Sequence, residues 1–247
     1  MTAELDGSGI AELAAFGPFF AVDWHPPQAV PGAPWRPVSE LTGRSEALGA
    51  RIASVRAALA ASSGRDAEEI EPRVAGSAVH LGLAARLIAP ALGAAVLRRA
   101  VDMRLGGLWW QDQSGGPVPL SVPAPAEDDN DLAPQERDRD LLLFDEVLVP
   151  VTEAIAGLVP VSGRVLWGNV ASAVNAAAAQ IARQRPDLAD SAWQAAARFF
   201  RSPRLRGEPS PPGPAFRRAS CCLFYRLAPG DRSAICGDCV LGGHRAR

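Results

Sequence analysis

Cysteine thiols are concentrated near the end of this chain. Cys221, Cys222, Cys236 and Cys239 are all the cysteines of the 247-residue sequence, and none occurs in the 220 residues before them. Cysteines used only as core filler would be spread along the sequence. Four thiols within so short a segment need one common reason, and a bound metal centre is the simplest.

Three kinds of chemistry fit these residue types. The Cys236-x-x-Cys239 spacing is that of a zinc knuckle, four thiolates also hold an iron–sulfur cluster, and four cysteines can form two disulfides. Adjacent residues of an extended chain point to opposite sides, so Cys221 and Cys222 reach one small ion only if the backbone bends. A two-iron cluster is wider and shares its ligands between two irons. Spacing alone leaves iron–sulfur and zinc as the leading alternatives.

The segment also resembles the C-terminal signature of the FhuF-type ferric-siderophore reductases. The resemblance implies a [2Fe–2S] cluster held by Cys221, Cys222, Cys236 and Cys239. One departure concerns the spacer, because thirteen residues separate Cys222 from Cys236, whereas the family usually has ten. The extra residues fall in the turn-forming run 228–233, so we expect an exposed turn tip at 230–233. The residues that carry the resemblance are Arg218, Ser220, Cys221, Cys222, Tyr225, Arg226, Cys236, Gly237, Asp238, Cys239 and Val240.

The resemblance implies an oxidoreductase that reduces Fe(III) in a hydroxamate or catecholate siderophore by one electron and releases Fe(II). The sequence has no dinucleotide-binding fingerprint. We therefore expect an external electron donor such as a ferredoxin, a flavodoxin or a flavin reductase. The alternative is a non-catalytic binding module stapled by zinc, whose cysteines would contribute only folding energy.

Composition narrows the choice of partners and compartment. The net charge of −2 gives no general attraction to nucleic acid or to an anionic membrane. The N-terminus has no secretory pattern. Residues 78–97 are apolar but contain His80, Arg86 and Pro90, which favours a buried, kinked helix over a membrane span. We expect a cytoplasmic protein, where thiols stay reduced, with no nucleic-acid partner and at most peripheral membrane contact.

The predicted fold class is mainly α with a small β element, followed by a compact C-terminal iron–sulfur module. We expect a helical docking body over residues 1–202, a proline-rich linker over 203–214 and the cluster-binding module over 215–247. A hairpin is predicted from Trp109-Trp110 and the alternating run 118–122. Helices are predicted over 9–16, 48–61, from Pro72 to about Met103 with Pro90 kinking or dividing it, from an N-cap at Ser162, and over 188–201. A further helix is predicted from near Pro134 or Asp138, and Pro150 either kinks it or starts a second helix to about Leu158.

Other residues carry weaker signals. Trp167-Gly168-Asn169 resembles an element of the FhuF-type helical body. We interpret it either as a core tryptophan beside a glycine that permits close helix packing or as a helix that faces the cluster or the siderophore. His25, His80 and His244 have no metal-ligand spacing between them, and His80 is expected in the core. The acidic run 128–131 lacks the glycine and glutamate of a calcium loop. Arginine pairs at 98–99 and 217–218 are candidates for attracting an anionic chelate, although a solvated surface role is the simpler interpretation.

Overall fold

A computed structural model describes residues 3–4, 7–43, 45–124, 142–208, 210–228 and 235–242. The mainly α fold class with a small β element is confirmed. The α-helices in this part of the chain are α1 (Gly7–Ala14), α2 (Glu46–Ser63), α3 (Pro72–Val96), α4 (Val149–Leu158), α5 (Gly163–Gln184) and α6 (Ala189–Phe199).

The centre of the fold is α3. Pro72 occupies its first turn, where its missing N–H costs nothing. By length and composition α3 could cross a membrane, but 72% of its most apolar window is buried inside the protein, so it is a core helix. It packs most extensively against α5 and next against α2. The prediction that this helix runs to Met103 is wrong, because it ends at Val96 and Arg98 adopts a left-handed φ of 56° that turns the chain.

The predicted helix from Pro150 is confirmed as α4, with Pro150 in its first turn. It is preceded by a π-helical stretch over Leu143–Leu148, which buries Phe144. The predicted start of that stretch, near Pro134 or Asp138, lies outside the described residues. Ser162 caps α5 as predicted, since its side chain accepts a hydrogen bond from the Val165 amide.

The β element is a four-stranded sheet. Its strands lie in the order β2 (Asp23–His25), β6 (Leu120–Pro123), β5 (Trp109–Trp110) and β3 (Arg36–Pro37). The predicted hairpin is confirmed as β5 (Trp109–Trp110) antiparallel to β6 (Leu120–Pro123). The proline-rich run after Val22 supplies a strand at each end, β2 (Asp23–His25) parallel to β6 and β3 (Arg36–Pro37) antiparallel to β5. A two-stranded parallel pair joins β1 (Ala3–Glu4) to β4 (Arg99–Ala100).

Buried Arg86 connects the sheet to the helices. Its guanidinium donates hydrogen bonds to the carbonyl oxygens of Val118 at 2.6 Å and Phe19 at 2.8 Å, and to that of Ala21. Burial lowers the pKa of Arg86 to about 10, so the group remains charged at neutral pH. One side chain on α3 therefore fixes both the N-terminal segment and the end of the hairpin.

The division into body, linker and C-terminal module stays a prediction. Within the predicted linker, Pro203–Leu205 form a short 3-10 helix and the Leu205 side chain is buried. Phe216 joins the same apolar core and stacks edge-to-face on Phe200. The chain on either side of the proline-rich stretch thus packs against the helical body.

Candidate metal centre

The backbone bends directly after the two adjacent cysteines. Leu223 follows Cys222 with a left-handed φ of 72°, a conformation that leucine rarely adopts. A 3-10 turn, Phe224–Leu227, comes directly after it. The residue at the bend is strained, a feature that clusters at functional sites, and the sulfur atoms of Cys221 and Cys222 turn to different partners.

The four sulfur atoms form two close pairs. Cys222 Sγ lies 3.3 Å from Cys236 Sγ, and Cys239 Sγ lies 3.9 Å from Cys221 Sγ. Each pair takes one cysteine from the Cys-Cys step and one from the Cys-x-x-Cys segment. No three of the described His, Cys, Asp or Glu side chains gather around a single point as the ligands of one ion do.

This pairing fits two metal ions with two thiolates each. Two thiolates bound tetrahedrally to one ion at about 2.3 Å lie about 3.8 Å apart, close to both observed separations. A [2Fe–2S] cluster takes four cysteine ligands in this way. All four thiols are free, so the residues fit the cluster that the resemblance implies.

Backbone amides point at the sulfur atoms. The Leu223 amide donates to Cys221 Sγ at 3.3 Å, and the Leu241 amide donates to Cys239 Sγ at 3.4 Å. Hydrogen bonds of this kind stabilise the charged thiolate relative to the neutral thiol. Around a bound metal, such surroundings also alter its reduction potential. Both come from residues two positions after a cysteine, so the tight local turns supply them.

The thiols differ in their affinity for protons. A hydrogen bond from the Cys236 thiol lowers the pKa of Cys222 to about 6, and the same bond raises the pKa of Cys236. This pair therefore shares one proton in the metal-free protein. Burial raises the pKa of Cys221 to about 11. Metal binding must displace these protons, as it does at thiolate sites in general.

The site lies close to the protein surface. Cys222 and Cys239 are buried, whereas Cys221 and Cys236 are half-buried. Val240 and Leu241, directly after Cys239, expose about half of their surface, 49% and 47%. The half-buried edge is therefore the part of the site that another molecule can approach.

Helix α5 contacts residues 218–241, the part of the chain that contains the cysteines and is called the cysteine segment below. The contact is made at Gly168. A Cβ at this position would lie 2.4 Å from Ser220 Oγ and 3.2 Å from an Arg218 nitrogen. Only glycine therefore permits the observed approach. Trp167 is half-buried against the core and Gly168 permits close packing, whereas the interpretation that this helix faces a cluster or a siderophore stays a prediction.

A buried polar network links α3, α5 and the cysteines. Asn169, fully buried on α5, donates to the carbonyl and hydroxyl oxygens of Ser77, both at 3.1 Å. Ser77 Oγ donates to the Cys222 carbonyl oxygen at 2.9 Å. Asn169 Oδ1 accepts a hydrogen bond from Arg218. The position of Cys222 is thus set by side chains from both central helices.

Further contacts hold the cysteine segment on the body. Ser172, one turn beyond Gly168 on α5, donates to the Asp238 carboxylate. The Asp238 carbonyl oxygen accepts from the Arg218 amide at 3.1 Å. Arg226 forms an ion pair with Glu71 at the start of α3, and this pairing lowers the pKa of Glu71.

Two arginine predictions have different outcomes. The prediction that Arg217 and Arg218 form a surface pair is wrong for Arg218, which is only 1% exposed; Arg217 is exposed and donates to the Gly237 carbonyl oxygen. Arg98 and Arg99 follow the far end of α3. Ser77, which contacts Cys222, lies nineteen positions before Val96 on this helix, or about 28 Å at 1.5 Å per residue. Arg98 and Arg99 therefore lie far from the cysteines.

His25 and His80 lie outside the sulfur site. His80 is buried as predicted, and its Nε2 lies 2.9 Å from the Thr152 hydroxyl, while Nδ1 has no partner. Burial and the nearby positive charge of Arg218 lower the pKa of His80 to about 3, so it is neutral. His25 is buried against Ser121 on the sheet. His244, the acidic run 128–131 and the predicted turn tip at 230–233 lie outside the described residues.

Sequence reasoning missed Ser77 and the internal role of Arg218. A serine within an apolar helix gives no distinctive signal. Asn169 gave a clearer signal in the sequence, because an uncharged polar residue on a helix rich in alanine and valine must find hydrogen-bond partners if it is buried. Val170, Val174 and Ile181 on the same helix are buried in the core.

Comparison with known proteins supports the interpretation of the four cysteines as an iron–sulfur site. The family model of the FhuF 2Fe-2S C-terminal domain matches residues 218–241. Among curated proteins, none matches the chain significantly. The matched residues contain all four cysteines and Arg218, the elements of the geometry described above. Over residues 218–241 the chain therefore carries the C-terminal domain of FhuF-type 2Fe-2S proteins, and its clustered cysteines are those of a [2Fe–2S] site.

Proposed function

We propose that this protein is a cytoplasmic ferric-siderophore reductase. A [2Fe–2S] cluster, when bound, accepts and releases one electron at a time. The acceptor is Fe(III) held by a hydroxamate or catecholate siderophore, and the donor is an external reductant such as a ferredoxin, a flavodoxin or a flavin reductase. Each turnover moves one electron from that donor to Fe(III), which becomes Fe(II).

The observation that carries this proposal is the paired arrangement of the four thiols within a FhuF-type C-terminal domain. A structural zinc site, the main alternative, needs four ligands around one ion. The two close pairs fit a two-metal centre better. Amide donors at Cys221 and Cys239 suit a centre whose negative charge changes during the reaction.

The surface beside the cysteines suits an anionic substrate. Arg164 and Arg217 are both exposed, and each guanidinium donates to a carbonyl oxygen of the cysteine segment, at Ala219 and Gly237 respectively. Guanidinium groups bind carboxylates and other oxyanions in a forked geometry, so these two arginines are the candidates to attract a chelate to the half-buried edge.

Reduction is an effective way to release the iron. Hydroxamate and catecholate oxygens are hard ligands that prefer the smaller, more highly charged Fe(III). One electron therefore weakens the complex without cleaving the chelator. A cytoplasmic location agrees with four reduced thiols, and it places the protein where imported siderophores must give up their iron.

The test is anaerobic stopped-flow mixing of the reduced, desalted protein with ferric hydroxamates and catecholates. We expect the visible spectrum of the oxidised protein to return while a ferrous chelator traps one Fe(II) for each electron lost. A small redox dye serves as the control acceptor. If the dye oxidises the protein and no ferric siderophore does, the centre is real and the substrate class is wrong.

A further inference from the structure

Arg218 is a buried cation beside the cysteines. Its side chain is only 1% exposed and is among the largest fully buried side chains of the described residues. It lies three positions before Cys221 in the sequence. Arginine is almost never fully buried unless it is paired, so its surroundings need an explanation.

The hydrogen-bond partners of Arg218 are neutral. Its guanidinium donates to the Asn169 side-chain oxygen and, at 3.3 Å, to the Val165 carbonyl oxygen. The Nε–H is buried without a partner. Among the residues that the structure describes, no Asp or Glu lies within ion-pair distance of Arg218, whereas Arg51 and Arg226 each pair with a carboxylate.

A buried charge without a counter-ion is strongly unfavourable. The negative groups that this segment itself can offer are the cysteine thiolates, and Cys222 is buried like Arg218, at 3% exposure. The Cys222 backbone is tied to Arg218 through Ser77 and Asn169. This network holds the guanidinium in the interior, next to the segment that carries the cysteines and away from solvent.

We propose that Arg218 is the internal counter-charge of the cysteine centre and that it raises the reduction potential of the bound cluster. Two ferric ions, two sulfides and four thiolates carry a net charge of minus two, and one added electron makes it minus three. A fixed positive charge in a poorly solvated site stabilises the more negative state more strongly. Arg218 acts through the cluster and touches no substrate, so it is a positioning and electrostatic residue.

Gly168 and Asn169 on α5 hold the guanidinium of Arg218 in place. Gly168 leaves room for the guanidinium, since a Cβ there would lie 3.2 Å from its terminal nitrogen. Asn169 is an amide, which accepts from Arg218 without neutralising it. An aspartate at this position would form an ion pair with Arg218 and cancel its effect on the cluster.

Equilibrium redox titration of the cluster-loaded protein tests the proposal. We expect Arg218→Gln to reduce the ratio of reduced to oxidised protein at fixed potential by at least about tenfold, a negative shift of about 59 mV for a one-electron couple. Arg218→Lys, which keeps the charge, should stay close to the wild type. Arg217→Gln is the matched control, because it removes the neighbouring but exposed charge, and its shift should be less than a third as large.

Two results would overturn the proposal. One is an unchanged potential in Arg218→Gln. The other is an equal shift in the glutamine and lysine variants, which would assign the effect to packing. If Arg218→Gln does not retain its cluster, Asn169→Asp decides: a potential at or above the wild-type value contradicts the proposal. The measurement needs only the cluster, so it is independent of whether siderophores are the substrate.

Discussion

The contact between Gly168 and the cysteine segment can be tested by adding one methyl group. In Gly168→Ala the new Cβ would lie 2.4 Å from Ser220 Oγ, about 1 Å inside ordinary van der Waals contact. Ser220 Oγ donates to the Arg164 carbonyl oxygen at 2.9 Å, so its rotation away from the methyl group breaks that bond. Overpacking costs about 1–3 kcal/mol, the lost hydrogen bond costs about 1 kcal/mol, and alanine gains about 0.5–1 kcal/mol in helix propensity.

The expected net effect is a destabilisation of about 1–3 kcal/mol, with partial loss of bound iron because Ser220 adjoins Cys221. Urea unfolding and the iron content of the purified protein measure both effects. Gly49→Ala on α2 is the control, because nothing lies within 4 Å of a Cβ there, and it should stabilise by about 0.5–1 kcal/mol. Ser220→Ala should partly rescue Gly168→Ala. Equal stability and iron content in the Gly168 and Gly49 variants would refute the close packing.

Three further predictions test separate features. Cys222→Ser should bleach the visible spectrum or make the cluster labile; unchanged iron content and absorbance would remove Cys222 from the ligand set. His80 has a folded-state pKa of about 3 against 6.5 when unfolded, so the unfolded state binds the extra proton between these values and stability falls as pH drops through this window. Between pH 7.5 and 5 the wild type should lose about 2 kcal/mol more than His80→Gln, and identical losses in urea unfolding would contradict a buried neutral histidine. Arg86→Met leaves three carbonyl oxygens without their donor and should destabilise by at least about 3 kcal/mol; a loss below about 1 kcal/mol would show that these bonds are not formed.

Local signals in the sequence predicted most of the helical framework. Pro72 and Ser162 marked helix starts correctly because proline and serine act through the first turn alone. The paired tryptophans and the alternating run after Pro117 predicted the hairpin for a similar reason. The end of α3 was missed, since Leu97, Val101 and Met103 continue the apolar pattern and a single left-handed residue, Arg98, ends the helix.

The sequence predicted that the four cysteines belong to one site, but it did not predict the residues that surround them. The clustering of the four cysteines is evident from the amino-acid sequence alone. The bond from Ser77 to Cys222 spans 145 residues, and no local pattern records such a contact. Arg218 was taken for a surface residue because arginine is usually solvated, and only the three-dimensional packing against Gly168 reveals its burial.

The central claim is that Cys221, Cys222, Cys236 and Cys239 hold one [2Fe–2S] cluster. Anaerobic purification followed by metal and acid-labile sulfide analysis, with an electron paramagnetic resonance spectrum of the dithionite-reduced protein, tests it directly. We predict two irons and two sulfides for each chain and a reduced-state signal that integrates to about one unpaired electron. A colourless protein that contains one zinc for each chain and gives no such signal would contradict the account.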